Sequence, residues 1–169
     1  MMPHIRRIRA DEGPRLRALR LRALAEAPMA FGSTLAQEQG FADDVWRERA
    51  VGASVGCDRA TFIAERENQW VGLATGLARQ DDPENAGPLL VGMFVDGTAR
   101  RLGVGGALIE AVAAWARACG AARLTLWVTS GNDPAVALYQ RCGFRPTGVT
   151  RPLAHTPSLA ECEMIQDLR

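Results

Sequence analysis

Lysine is missing from this chain: all 20 basic side chains among its 169 residues are arginine. That absence excludes a Walker-type phosphate loop, which needs a Lys-Ser/Thr pair after its last glycine. Together with abundant alanine, it fits a GC-rich bacterial genome. An excess of one charge is also missing. The formal net charge is +1, so no global field favours nucleic acid or a membrane surface, and neither is expected as a partner. No apolar run is long enough to span a bilayer. The opening Met1-Met2-Pro3-His4-Ile5-Arg6-Arg7 lacks the apolar core of a secretory signal. Metal-ligating patterns are absent as well. Cys57, Cys119, Cys142 and Cys162 form no Cys-x-x-Cys and have only His4 and His155 for company, so no metal centre is expected. With no close pairing either, Cys119 and Cys142, at the ends of expected helices, are read as small core or boundary residues rather than nucleophiles, in a reducing, cytoplasmic setting.

What is present is ordinary in bulk and specific in detail. A hydrophobic share of 47% and a charged share of 23% suit a globular chain, read as one domain over residues 1–169. Such a length buries about 70% of its unfolded surface without staples. The informative segment is Arg100-Arg101-Leu102-Gly103-Val104-Gly105-Gly106. It follows a short apolar run, Leu89 to Val95, that reads as a buried strand. It opens a helix in which Val104, Leu108, Ala111, Val112 and Trp115 recur at helical spacing. The first amides of such a helix lack partners and carry partial positive charge. Glycines admit phosphate oxygens to that backbone, and Arg100 and Arg101 add charge. A dinucleotide fingerprint would need Gly or Ala at position 108, where Leu108 stands.

A second block runs from Leu126 to Phe144. Leu126-Trp127-Val128-Thr129 reads as a strand, Asn132 or Asp133 as a helix cap, Pro134 as a first-turn residue and Gly143 as the stop. Arg100, Gly103 and Gly105 satisfy the pattern Arg/Gln-x-x-Gly-x-Gly/Ala, followed in order by Asn132, Ala135, Leu138, Tyr139, Gly143 and Phe144. In these two blocks the chain resembles the GNAT superfamily of acetyl-coenzyme A dependent N-acetyltransferases. The resemblance is strong over residues 89–145, the cofactor half, and weaker over the rest, with substrate-side helices at about 11–53.

That resemblance implies a single α/β (α+β) domain with a mixed sheet of about seven strands, splayed between the fourth and fifth and flanked by about four helices. The sequence supplies matching elements. A strand is expected over His4–Arg9, a helix from an Asp11 cap to Glu26, a loop at Ala30–Thr34 and a helix over Asp43–Val51. A hairpin of Thr61–Glu65 and Trp70–Leu77 turns near Asn68, and Pro146–Arg151 and Glu161–Leu168 close the sheet.

The implied chemistry is acetyl transfer from acetyl-CoA, as co-substrate, to a primary amine of a small molecule or peptide, directly within a ternary complex. By the same resemblance, Met93, Phe94 and Val95 offer main chain to the pantetheine arm and the developing oxyanion. Arg100, Arg101, Gly103, Val104, Gly105 and Gly106 cradle the pyrophosphate, and Asn132, Ala135 and Tyr139 hold the other end. Tyr139 stands at the general-acid position, protonating the departing thiolate. The base is left open between Glu65, Glu38 and a water chain held by backbone and Thr129, since Leu89–Val95 contains no acid. Phe31, Trp46 and Trp127, with Arg20 undecided between solvent and substrate, are the acceptor-side candidates. A homodimer is compatible with the resemblance. The rival readings are a non-catalytic acyl-CoA sensor and a nucleotide-binding protein.

Overall fold

Largely apolar central strands, buried on both faces, build the sheet, and the helices lie where they cover those faces. The computed structural model describes residues 2–169. The strands are β1 (His4–Arg7), β2 (Arg59–Arg66), β3 (Gln69–Leu77), β4 (Leu89–Val95), β5 (Arg123–Thr129), β6 (Arg145–Leu153) and β7 (Thr156–Asp167). The helices are α1 (Gly13–Glu26), α2 (Leu35–Gln39), α3 (Asp43–Ser54), α4 (Val104–Ala118) and α5 (Asp133–Arg141). One seven-stranded sheet forms in the order β1-β2-β3-β4-β5-β7-β6. Its β2–β3 hairpin turns through Glu67 and Asn68, both at positive φ, as a two-residue loop of this hand requires.

Two apolar cores flank the sheet. Val104, Leu108, Val112 and Trp115 of α4 pack on one face, with Ala60, Ala74 and Leu124. Leu16, Leu19 and Leu24 of α1 and Trp46 and Ala50 of α3 pack on the other, with Ile63, Leu73 and Phe94. Apart from the β4–β5 pair, neighbouring strands run antiparallel. The β4–β5 pair is parallel and short, joined only at Leu89↔Thr125 and Leu90↔Leu126. Beyond Leu90 the two strands part, which is the expected splay.

Four expectations are corrected. The cap of α1 is Glu12 rather than Asp11, and it makes no side-chain capping bond; instead Glu12 is gripped by Arg6 at 2.7 and 3.0 Å and by the Arg9 amide at 2.9 Å. A fifth helix, α2, follows the expected loop because the Thr34 hydroxyl accepts from the Gln37 amide at 3.2 Å. The closing strands run beyond the expected Arg151 and begin before the expected Glu161, so β6 and β7 meet in a tight hairpin at Leu153↔Thr156. Finally, Cys57 and Cys119 are joined as a disulfide across 62 residues of sequence, where four unpaired cysteines were expected. The crossing of α4 over β2 and β3 brings its C-terminus to the α3–β2 loop. Trp115 donates there to the Gly56 carbonyl at 3.0 Å. Only Cys142 and Cys162 remain free.

Candidate active site

The splay of β4 from β5 opens a cleft of about 800 Å³. Every residue assigned above to the cofactor borders it: Met93 to Val95, Arg100, Arg101, Gly103 to Gly106, Asn132, Ala135 and Tyr139. Local physics explains each wall. Asp96 accepts from the Thr98 amide and hydroxyl at 2.9 Å and closes a single 3-10 turn, Gly97–Ala99. Arg100 then donates its Nε to the Val95 carbonyl at 3.0 Å. Arg101 and Gly103 both take left-handed conformations, at φ 62° and 79°. That double reversal delivers the chain into α4 with Gly103 as its cap, no side-chain capping bond and no acidic residue in the first turn. The first intrahelical bond recorded there is Ala107 N–H to the Gly103 carbonyl, so the amides of residues 104–106 face the cleft unclaimed. Gly105 lets the ends of two side chains close on the cradle: an added Cβ would lie 2.9 Å from Leu138 Cδ2 and 3.2 Å from Met93 Cε, and both would have to shift. The cradle therefore fits a pyrophosphate: open amides, two guanidinium groups and no carboxylate in the lining.

On the opposite wall, Tyr139 is buried with its ring edge-on to Phe144 at 5.9 Å. Burial, and then the neighbouring Cys142, push its phenol up to about 12. Burial likewise pushes the Cys142 thiol up. The Thr129 hydroxyl donates to the Met29 carbonyl at 2.6 Å, and Thr129 borders the cleft. Trp127 borders the cleft too, with the Arg151 guanidinium 3.9 Å above its ring.

Gly92 makes the second notable feature. It sits at φ 63° where the β3–β4 register slips between Leu73 and Thr75, so β4 bulges. Val91 and Gly92 border the cleft on one side and a smaller cavity, about 180 Å³, on the other. That cavity lies between α1, α3 and the inward positions of β2 and β3. Arg20, Trp46, Arg49, Arg59, Thr61 and Thr75 surround it.

The two carboxylates considered as bases lie elsewhere. Glu38 is almost wholly buried and accepts from Nε and Nη2 along one edge of the Arg20 guanidinium at 3.1 and 2.9 Å, and from Arg49 at 3.1 Å. Burial by itself would raise its carboxyl, but the hydrogen bonds and charge of Arg20, with help from Arg49, hold it below the usual carboxylate range. Glu65 accepts from Arg6 at 3.2 Å and from Trp70 Nε1 at 3.0 Å, and is likewise held low against its burial, chiefly by Arg6. Neither borders the cleft, and no Asp or Glu does. Phe31 is buried under Arg20, 4.7 Å from its ring, and its carbonyl meets His155 Nε2 at 2.7 Å; it borders neither cavity. Trp46 does line the smaller one, with its indole N–H buried and unpartnered among the described residues. Arg49, Arg59, Thr61 and Thr75 were missed by sequence reasoning. For Arg59, Thr61 and Thr75 the signal was polar residues at inward positions of largely apolar strands, visible only once register is known; Arg49 sits on α3 and joins them only through the packing of that helix on the sheet.

The family model described as the acetyltransferase (GNAT) family matches residues 22–144. The chain belongs to the acetyltransferase (GNAT) family. Solved members share its architecture over nearly their whole length. A GNAT-family acetyltransferase of Streptococcus pneumoniae is 22% identical with a TM-score of 0.80, covering 97% of this chain and 98% of its own. A ribosomal-protein-alanine N-acetyltransferase of Brucella melitensis is 23% identical with a TM-score of 0.76, covering 97% and 99%. A Salmonella typhimurium protein solved with its cofactor acetyl-CoA is 17% identical with a TM-score of 0.78, covering 100% and 95%. No curated protein matches the sequence significantly. At these identities the solved structures establish the family's fold. Among the described residues, no helix is long and apolar enough to cross a membrane, and no cluster of three potential metal ligands forms.

Proposed function

We propose that the protein is an acetyl-CoA dependent N-acetyltransferase that acts on a primary amine within a ternary complex. One observation carries this reading. The helix amides at residues 104–106, the unpaired edge of β4 and the Tyr139 side chain all border one continuous cleft. A pyrophosphate binder alone has no use for a buried phenol at the far end of that cleft.

When bound, acetyl-CoA supplies the thioester carbon that the amine attacks. The α4 amides and Arg100 and Arg101 hold its diphosphate, and the free edge of β4 pairs with the pantetheine amides. A main-chain N–H between Met93 and Val95 steadies the oxyanion as the carbonyl becomes tetrahedral. Asn132, whose side chain makes no hydrogen bond with the described residues, positions the arm near α5. Tyr139 donates its hydroxyl hydrogen to the departing sulfur. A thiolate with pKa about 8.5 is a weaker base than this phenolate, so complete transfer is uphill by on the order of 5 kcal/mol. Tyr139 accordingly acts by a strong hydrogen bond, while the proton that finally reaches sulfur comes from the amine or water. With no carboxylate in the lining, water ordered by backbone and by Thr129 takes the proton from the attacking amine.

Calorimetry with acetyl-CoA is the first test, and its failure to show heat would remove the reading. Thiol release across an amine panel is the second. Tight acetyl-CoA binding with no transfer to any amine would favour the acyl-CoA sensor, a reading kept open by the carboxylate-free lining. Stronger binding of ATP or NAD than of coenzyme A would favour a nucleotide-binding protein.

A further inference from the structure

We propose that the acceptor is a small amine bearing a carboxylate, and that the arginine-lined cavity behind the β4 bulge seats that carboxylate. The inference rests on the acetyl-transfer reading for the amine end and on the cavity alone for the anionic end.

Charge is the first argument. Arg20, Arg49 and Arg59 border the cavity, and Glu38 is the one carboxylate that pairs with any of them. Glu38 is saturated by Arg20 and Arg49. Arg59 makes no side-chain hydrogen bond or ion pair with the described residues, although it is half-buried. Burial, and then Arg49 facing it, lower its pKa, the signature of a cation lacking its counter-charge. A guanidinium does not shed its proton in a protein. The remedy is an anion, and a carboxylate matches the guanidinium fork with two parallel bonds.

Hydrogen bonding is the second argument. On the cavity floor Thr61 and Thr75 lie hydroxyl to hydroxyl at 2.8 Å. One of them donates to the other, which leaves one hydroxyl hydrogen for a further acceptor. A cavity of about 180 Å³ has room for a carboxylate and a few carbons.

Position is the third. Val91 and Gly92 form the wall shared with the cofactor cleft. Gly92 sits at φ 63° and a Cβ there would stand 3.3 Å from Arg20 Nη1, so glycine suits this shared wall. An acceptor anchored at Arg59 therefore presents its amine at the bulge, beside the strand edge assigned to the thioester. The same excess of guanidinium charge disfavours the ammonium form of that amine and eases its deprotonation where no carboxylate base is at hand.

The test pairs each amino acid with its amide and its decarboxylated amine in a thiol-release assay. The carboxylate form is expected to have a kcat/KM about 100-fold higher, the scale of one truncated buried charge pair. Arg59→Met should erase that preference, and Arg59→Lys should restore part of it. Thermal shift supplies a readout without turnover: N-acetyl amino acids should stabilise the native protein, their N-acetyl amides should not, and Arg59→Met should abolish the shift. Preference for amines lacking a carboxylate, or equal shifts in native protein and Arg59→Met, overturns the proposal. Failure of acetyl-CoA to bind while N-acetyl amino acids still do would remove the acetyltransferase reading and leave the anion site standing.

Discussion

Single side chains in this protein are told apart by what already occupies them. The Tyr139 hydroxyl makes no hydrogen bond with the described residues and feels only burial and, after it, the charge of Cys142. Tyr139→Phe therefore costs the fold little, within about 0.5 kcal/mol. It should lower kcat by about 10²-fold and leave the calorimetric affinity for acetyl-CoA unchanged; wild-type turnover in this variant would strip Tyr139 of its role. Glu38 is the opposite case, since both its oxygens are taken. Glu38→Gln leaves two guanidinium groups short of their counter-charge and should destabilise the protein by about 3 kcal/mol. The pH dependence has a definite sign. Glu38 is held below its ordinary value in the fold, so the unfolded chain binds the proton more readily. The stability it provides is present above about pH 4.5 and is lost as pH falls through the folded value. Denaturant titrations between pH 6 and 3 should thus be steeper for wild type than for Glu38→Gln. Parallel curves would refute the linkage.

At the level of elements, α4 is the part of the fold that does two jobs, bracing the sheet and opening its N-terminus to a ligand. These jobs can be separated at Gly106, which borders the cleft and where an added Cβ meets only Cys142 Sγ at 3.9 Å. Gly106→Asp removes a helix glycine and puts an anion at the positive end, each favourable by about 0.5–1 kcal/mol. The same carboxylate opposes a diphosphate. The expected result is a melting temperature equal to or above wild type, with acetyl-CoA affinity down at least about tenfold, near 1.4 kcal/mol. Gly106→Ala should keep both. A Gly106→Asp protein that binds acetyl-CoA normally would separate the helix N-terminus from the phosphate. Elements of this kind were legible in the sequence because they are local. The strand, glycines and amphipathic run of residues 89–118 sit side by side, and so do the cap, helix and stop of residues 132–143. The five-residue α2 went unread since only Thr34 and Gln37 announce it. The arginine cavity went unread for a deeper reason: Arg20, Arg49, Arg59, Thr61 and Thr75 come from four elements and meet only through register and crossing geometry.

Across the whole molecule, the bond between Cys57 and Cys119 shows the same limit of sequence reading, because nothing local relates residues 62 apart. What relates them is α4 lying across the sheet until its last turn reaches the loop behind α3. The loop is already held there by Trp115 and by Arg7, which donates Nη2 to the Gly56 carbonyl at 2.9 Å. The crosslink closes a loop of that length in the unfolded chain, and the chain-entropy account credits it with about 4 kcal/mol. For a chain of this size that is roughly 10 °C of melting temperature. Protein purified without reductant should accordingly show two reactive thiols, Cys142 and Cys162, on unfolding in denaturant, and four after reduction. Reduction should lower the melting temperature by that amount, and Cys57→Ser should match the reduced protein and respond no further. Because the bond lies at the C-terminal end of α4 and the phosphate cradle at the other, acetyl-CoA affinity should be the same in both redox states. Four thiols in the unreduced protein would mean that the loop is held by Trp115 and Arg7 alone. A reduced protein that melts normally but loses acetyl-CoA would mean that α4 transmits strain along its length, which its close packing on β2 and β3 is expected to prevent.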